Sequence, residues 1–152
     1  MASLQDLSDR LELHQLVADY AHAIDERAWD RLDAIFTPDA YIDYRAMGGI
    51  DGSYPEVKAW LPEALKHFPA YMHLNGNFSC ALAGDTATGK TACFNPMAVP
   101  RPEGGVDTMF LGLWYDDRFV RTPSGWRIAQ RVERRCYDYN MPEWMKAALK
   151  LK

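Results

Sequence analysis

The hydrophobic period of this 152-residue chain changes once, near Tyr71, and that change constrains the fold more than any other feature. Before it, apolar residues recur three and four apart. Leu7, Leu11, Leu16, Val17, Tyr20, Ala21 and Ile24 trace one face of a helix from Ser3 to about Ile24, with Ser3 or Asp6 as its cap. A second short helix carries Trp29, Leu32, Ile35 and Phe36 and stops at Pro38. A strand-like Ala40 to Tyr44 and a glycine-rich loop, Met47 to Gly52, come next. Ser53 to Phe68 reads as a third helix, with Pro55 near its first turn and Pro62 marking a kink or a break. From Tyr71 to Tyr139 the texture alternates and is β-prone, punctuated at Ala83-Gly84-Asp85, at Arg101 to Gly105 and at Pro123-Ser124-Gly125. That gives about four strands, and a short amphipathic helix beginning at Pro142 closes the chain. Helices in front and antiparallel strands behind indicate one α+β domain over residues 1–152. A curved antiparallel sheet with the N-terminal helices across one face leaves a hollow that suits a small molecule.

Charge and cysteine content narrow the class. Twenty-one acids against 17 bases give a formal charge of −4, whereas a nucleic-acid binder needs a basic excess to neutralise phosphates. No apolar run approaches the ~20 residues of a membrane helix. The amphipathic start lacks the basic and apolar regions of a signal peptide, so a cytoplasmic location is expected, with no nucleic-acid or membrane partner. Cys80, Cys93 and Cys136 are too few and too scattered for a disulfide framework or a zinc site.

Several familiar chemistries are missing. Gly84 and Gly89-Lys90-Thr91 match the phosphate-loop spacing, but the stretch reads as a strand after a turn, and a phosphate loop must open a helix. No G-x-S-x-G elbow occurs, and His14, His22, His67 and His73 show no metal-binding spacing. Acid–base chemistry without a metal or other cofactor remains.

The residues suited to such chemistry are Asp25, Tyr44 and His73. Tyr20 and Ile24 share the apolar face of the first helix, and Asp25 follows at its C-terminal end. A carboxylate is poorly placed there for the helix dipole, and by pattern alone it reads first as a solvated helix-end acid. His73 opens a strand whose polar face is His73, Asn75, Asn77 and Ser79. With that face toward solvent the strand is ordinary; with it toward the hollow, His73 is the one base there that titrates near neutrality and Asn77 reaches the substrate. A carboxylate on one ring nitrogen would fix the tautomer and support the imidazolium formed on proton abstraction, a task for Asp25. Tyr44 offers a phenolic donor to a substrate oxygen, or is a packed aromatic. Trp29, Phe36, Trp60, Phe68 and Trp126 read as core, and His14, His22 and His67 as helix surface.

The stretch from Ala21 to Met47, with Trp29-Asp30-Arg31-Leu32, Pro38 and Ile42-Asp43-Tyr44-Arg45, closely resembles the scytalone dehydratase family. Met72 to Asn77, the Gly84-Asp85 turn, Leu113 to Phe119 and Ser124 to Arg131 are similar to the wider SnoaL-like group of the nuclear-transport-factor-2-like superfamily. The resemblance implies a cone-shaped pocket in a cystatin-like α+β barrel, an Asp25–His73 dyad and a substrate-oxygen tyrosine at Tyr44. From relatives acting on steroid-like substrates it implies roles for Tyr20 and for Arg135, or for Arg134 after a one-residue register shift. The chain also departs from the dehydratases. Ile24 stands where they have a tyrosine, Met97 where they have a second histidine, and Met109 and Leu111 where they have a serine and an asparagine. These changes place an apolar lining of Met97, Met109 and Leu111 at the substrate and argue against a small polyhydroxylated naphthalene.

The function expected is a lyase of the dehydratase or dehydrohalogenase type. His73 removes a proton beside an activating group, and hydroxide (as water) or halide leaves from the next carbon. A ketosteroid-isomerase-like isomerase is a weaker alternative, because Met97, Met109 and Leu111 cannot donate to an oxyanion. A non-catalytic binding domain is the other, since folds of this kind also serve as adaptors. An exposed sheet face bearing Phe110, Trp114 and Phe119 predicts a homo-oligomer, with a trimer favoured by the dehydratase resemblance and a dimer as the other possibility.

Overall fold

The computed structural model describes residues 2–148. Helix α1 spans Leu4–Asp25 and starts with a reciprocal cap: Ser3 Oγ accepts from the Asp6 amide at 3.0 Å, and the Ser3 amide donates to Asp6 Oδ2 at 2.8 Å. Both expected cap residues therefore take part. A 3₁₀ turn, Trp29–Ala34, replaces the expected second helix, and strand β1, Phe36–Asp43, already contains Pro38. The proline lies where the pairing of β1 with its neighbour shifts register between Phe36 and Tyr41, so its missing N–H breaks no ladder bond.

Strand β2, Asp51–Ser53, follows a turn at Arg45–Met47 and leads into helix α2, Tyr54–Leu65. Ser53 and Glu56 cap α2, and the helix runs on through Pro62 for three more residues. Four longer strands come next: β3 Leu74–Ala83, β4 Thr86–Pro100, β5 Val106–Thr122 and β6 Gly125–Tyr139. A short helix α3, Glu143–Ala148, lies at the expected place; the remainder of that predicted helix falls outside the described residues.

The six strands form one open, curved sheet in the order β2-β1-β6-β5-β4-β3. Neighbours are antiparallel except β1 and β6, which run parallel. Gly84 makes the β3–β4 turn with φ +65°, and Gly89-Lys90-Thr91 lies inside β4, so the phosphate-loop spacing falls on a hairpin, as its context predicts.

Helix α1 buries Leu13, Leu16, Val17, Tyr20, Ala23 and Ile24 against the concave face. Its first leucines, Leu4, Leu7 and Leu11, stay exposed, although Leu7 and Leu11 continue the apolar period. Phe36, Phe119, Trp126 and Ile128 fill one end of the space between helix and sheet. Buried Asp9 locks that end: Arg121 donates to both its oxygens at 2.8 and 2.6 Å, and Trp126 Nε1 donates at 3.1 Å. Among the described residues no helix is long and apolar enough to cross a membrane.

Candidate active site

At the other end of the sheet the space is not filled. A cavity of about 620 Å³ opens there, lined by α1, α2, the loop after β1, and strands β4 to β6. Its walls are mostly apolar, with Met47, Trp60, Leu61, Met97, Leu111 and Leu113 among them. Gly49 lets the loop close on this wall: a Cβ there would sit 2.7 Å from Tyr44 Cβ and 2.9 Å from the Trp60 ring. Trp60 and Phe68, expected in the core, thus border the cavity, and so does His67, expected on the helix surface.

His73 and Asp25 meet at this cavity. His73 Nδ1 lies 2.6 Å from Asp25 Oδ1, and the His73 amide donates to both carboxylate oxygens at 3.1 and 2.9 Å. A carboxylate cradled by donors only accepts, so in the neutral ring Nδ1 carries the proton and Nε2 is bare. Both side chains are largely shielded, at 9% exposure for His73 and 19% for Asp25.

The local chain holds this pair in register. Arg27, at φ 55°, turns the backbone out of α1 two residues after the aspartate, and its guanidinium donates to the Phe68 carbonyl at 2.7 Å. The Tyr71 hydroxyl donates to the Ile24 carbonyl at 3.0 Å, tying the end of α1 to the segment before β3. Asn95 donates to the Met72 carbonyl and Asn75 to the Val17 carbonyl, which fixes His73 from both sides. None of these fastening residues stands out in the sequence, because each is an ordinary polar or aromatic residue until the contact is seen.

Tyr20 and Tyr44 form the second polar group, with hydroxyls 2.6 Å apart and both rings buried. Two hydroxyls carry two protons and their mutual bond uses one, so one donor remains for a ligand. Burial pushes the Tyr20 hydroxyl up to about 12 and Tyr44 well above its ordinary value, so both stay protonated near neutrality.

Beneath the tyrosines lies a wholly buried pair. Arg131 donates to Asp117 through Nε and Nη2, at 2.8 and 2.7 Å, and its guanidinium stacks over the rings of Tyr20 and Tyr115 at 4.0 and 4.1 Å. Beside it on β6, Glu133 lines the cavity, and its Oε2 is shut off without a hydrogen-bond partner. Burial holds the Glu133 carboxyl well above the usual carboxylate range, against the pull of Arg131.

Glu133 is the residue that sequence reasoning missed, and the cause is a β-bulge. Counting twos from buried Ile128 puts Gln130, Val132 and Arg134 inside. The β5–β6 register shifts between Arg118 and Phe119, which turns Arg131 and Glu133 inward instead. A second shift, between Gly112 and Leu113, comes just after Arg135, which pairs with Asp138. Arg134 is exposed and pairs with Asp116. Neither Arg134 nor Arg135 lines the cavity.

A third bulge, between Asn75 and Phe78, divides β3. His73 and Asn75 face inward before it; after it Phe78 turns in toward Phe119 and His14, while Asn77 becomes exposed on the convex face. Asn77 is therefore absent from the cavity wall, contrary to expectation. Met97 and Leu111 line the cavity as expected, whereas Met109 is fully buried behind the lining and does not reach it. Among the described residues no three His, Cys, Asp or Glu side chains converge as a metal site.

A family model described as "SnoaL-like domain" matches residues 5–132. An uncharacterised protein of Mycobacterium tuberculosis, Rv2910c, is 56% identical over 141 residues, which cover 93% of this chain and 95% of that one. Two solved structures share the fold. A candidate scytalone dehydratase from Novosphingobium aromaticivorans superposes with a TM-score of 0.77 at 17% identity, covering 90% of each chain. A type 2 hexachlorocyclohexane dehydrochlorinase, LinA, gives 0.80 at 18% identity, covering 93% of this chain and 95% of its own.

Proposed function

Since this chain belongs to the SnoaL-like domain family, we propose that it is a lyase in which His73, held by Asp25, removes a proton from a small, largely apolar cyclic substrate. The observation that carries the reading is the 2.6 Å Nδ1–Oδ1 bond at the wall of an apolar cavity of about 620 Å³. An adaptor has no use for a buried base with its second nitrogen bare.

The chemistry follows from the positions. His73 Nε2 takes a proton from a carbon beside an activating group, and the imidazolium that forms is stabilised by Asp25. The free hydroxyl proton of the Tyr20–Tyr44 pair donates to the oxygen on which charge develops. A leaving group departs from the neighbouring carbon. A positioned general base contributes typically ~10²–10⁴-fold. One preorganised donor to an oxyanion is worth ~2.7–4 kcal/mol. The water-poor walls strengthen both effects, because charge interactions grow as the local dielectric falls. No step calls on a metal or another cofactor.

Fold likeness to a dehydrochlorinase and to a candidate dehydratase supports elimination as the reaction class. The test is turnover of a panel of cyclic β-hydroxy and β-halo carbonyl compounds, followed by loss of a C–H proton and appearance of a conjugated product. His73→Ala retaining wild-type turnover on a substrate found this way would end the proposal. A double-bond shift without loss of a group would move the assignment to an isomerase.

The convex sheet face supports a homo-oligomer, a trimer first. Phe119, expected on this face, is buried on the concave side. Phe110 and Trp114 lie on the convex face as expected, and exposed Leu74, Phe94, Tyr137 and Tyr139 extend the patch, with Phe94 stacked on Phe110 at 5.6 Å. Light scattering that gives the mass of one chain at micromolar concentration would refute it.

A further inference from the structure

Resting on the lyase reading of the same cavity, we propose that Glu133 is the acid partner of His73. It donates its carboxylic proton to an oxygen of the ligand, so the substrate class is an apolar ring compound bearing a hydroxyl or carbonyl oxygen rather than one whose only functional group is a halogen.

The placement comes first. Glu133 pairs in register with Tyr115 on β5, and Val132 pairs with Asp43, so Glu133 lies beside Tyr44. His73 stands at the start of β3, three strands away, about 14 Å along the sheet at the usual strand spacing. Both side chains line the one cavity, with room for a ring system between them.

The charge state comes next. The groups that face Glu133 are Arg131 on its own strand, Asp43 on β1, Tyr44 after it, Tyr20 on α1, Tyr115 on β5 and Cys93 on β4. Arg131 is the one cation in this set; Asp117 takes its Nε and Nη2, and its remaining Nη1 is buried without a partner, so it makes no hydrogen bond to Glu133. Asp43 is an acid engaged by Arg45. Tyr20 and Tyr44 share one hydrogen bond between them, and neither hydroxyl is bonded to Glu133 Oε2. An ionised Glu133 would leave Oε2 as a buried charged oxygen with no donor, which the surroundings do not support. The carboxyl is therefore an acid with a proton to give.

A carboxylic O–H in an apolar cavity seeks an acceptor, and an oxygen on the ligand supplies it where a hydrocarbon or a carbon-bound halogen does not. In elimination of water, His73 Nε2 takes the proton from carbon and its electron pair forms the double bond. The C–O bond breaks, and the Glu133 proton joins the departing hydroxyl. Glu133 is left as carboxylate and His73 as imidazolium, and proton exchange with solvent restores both. A departing chloride needs no such proton.

The test uses binding of a probe pair and does not require turnover: the bicyclic ketone 2-tetralone against its oxygen-free counterpart tetralin, by titration calorimetry on the whole chain. Wild type should bind the ketone about tenfold more tightly than the hydrocarbon, the worth of one good hydrogen bond. In a Tyr20→Phe, Tyr44→Phe background, which removes the other oxygen donor of the cavity, Glu133→Gln keeps a donor and should keep the preference, whereas Glu133→Leu should lose most of it. Infrared difference spectra at neutral pH should show a protonated carboxyl band in wild type that is absent in Glu133→Gln. No preference in wild type, a preference that survives Glu133→Leu in the background without the two tyrosine hydroxyls, or no such band would overturn the assignment. Failure of the lyase reading is distinct: it would show as His73→Ala keeping turnover, whatever the probes bind.

Discussion

The two ends of the concave sheet face use their charged side chains in opposite ways. At the closed end Asp9 is satisfied on every side by Arg121, Trp126 and Gln5, and large aromatics fill the space around it. At the open end His73 keeps a bare nitrogen, the Tyr20–Tyr44 pair keeps a spare proton, and Glu133 keeps an unpartnered oxygen. Arg131 and Asp117 stand between the two, fully buried and paired with each other. One end spends its polar groups on the fold, and the other holds them ready for a ligand. Substitutions at the closed end should cost stability, and those at the open end should cost chemistry.

The sharpest way to break this contrast is at the dyad. His73→Ala and Asp25→Asn should each lower kcat by about 10²–10⁴-fold, and the double variant should be little worse than either single, because the pair acts as one unit. Thermal midpoints should stay close to wild type. Additive losses in kcat would show that Asp25 does not work through His73.

Arg131→Met tests the boundary. It leaves Asp117 as an uncompensated buried charge, and urea unfolding should show a loss of about 3–5 kcal/mol. A smaller loss would mean that water reaches Asp117.

At the closed end Asp9→Ala should lower the thermal midpoint by about 5 °C, since it strips partners from Arg121 and Trp126 at once. Hydrogen bonds from Arg121 hold the Asp9 carboxyl below its ordinary range. Its contribution is therefore complete above the ordinary value of 3.8 and is lost as pH falls below it, so the variant should have a shallower acid limb than wild type.

Glu133→Gln should do the reverse. Burial raises the native carboxyl, so folding takes up a proton above the ordinary value of 4.5 and wild-type stability declines as pH rises beyond it. Removing that titration should raise the midpoint by about 3 °C at neutral pH. A lower midpoint would place Glu133 with the structural charges.

Tyr44→Phe should be mildest, with about tenfold lost in kcat, because the Tyr20 hydroxyl is released from its mutual bond and remains a donor.

Much of this arrangement was legible in the sequence. The switch from helical to alternating texture gave the layers, and the dehydratase-like stretch from Ala21 to Met47 pointed to Asp25 and Tyr44. What could not be read was the facing of strand residues past a bulge. Alternation carries side-chain direction only while the ladder is regular, and β3 and β6 both break it. The break in β3 makes His73 and Phe78 share a face although they stand five positions apart, an odd interval that regular alternation would send to opposite faces. The break in β6 after Ile128 turned Arg131 and Glu133 inward in place of Gln130 and Val132. Charged residues in a run such as Arg131 to Arg135 look solvated until register decides which of them turn in.

The central claim is that Asp25 sets the His73 ring with Nε2 bare toward the cavity. Nitrogen NMR of ¹⁵N-histidine-labelled protein tests it without any substrate, with the His73 signals assigned by their loss in His73→Gln. The account predicts that the neutral ring carries its proton on Nδ1, and loss of that strict preference in Asp25→Ala. A proton on Nε2 with Nδ1 bare in the wild-type protein would contradict it.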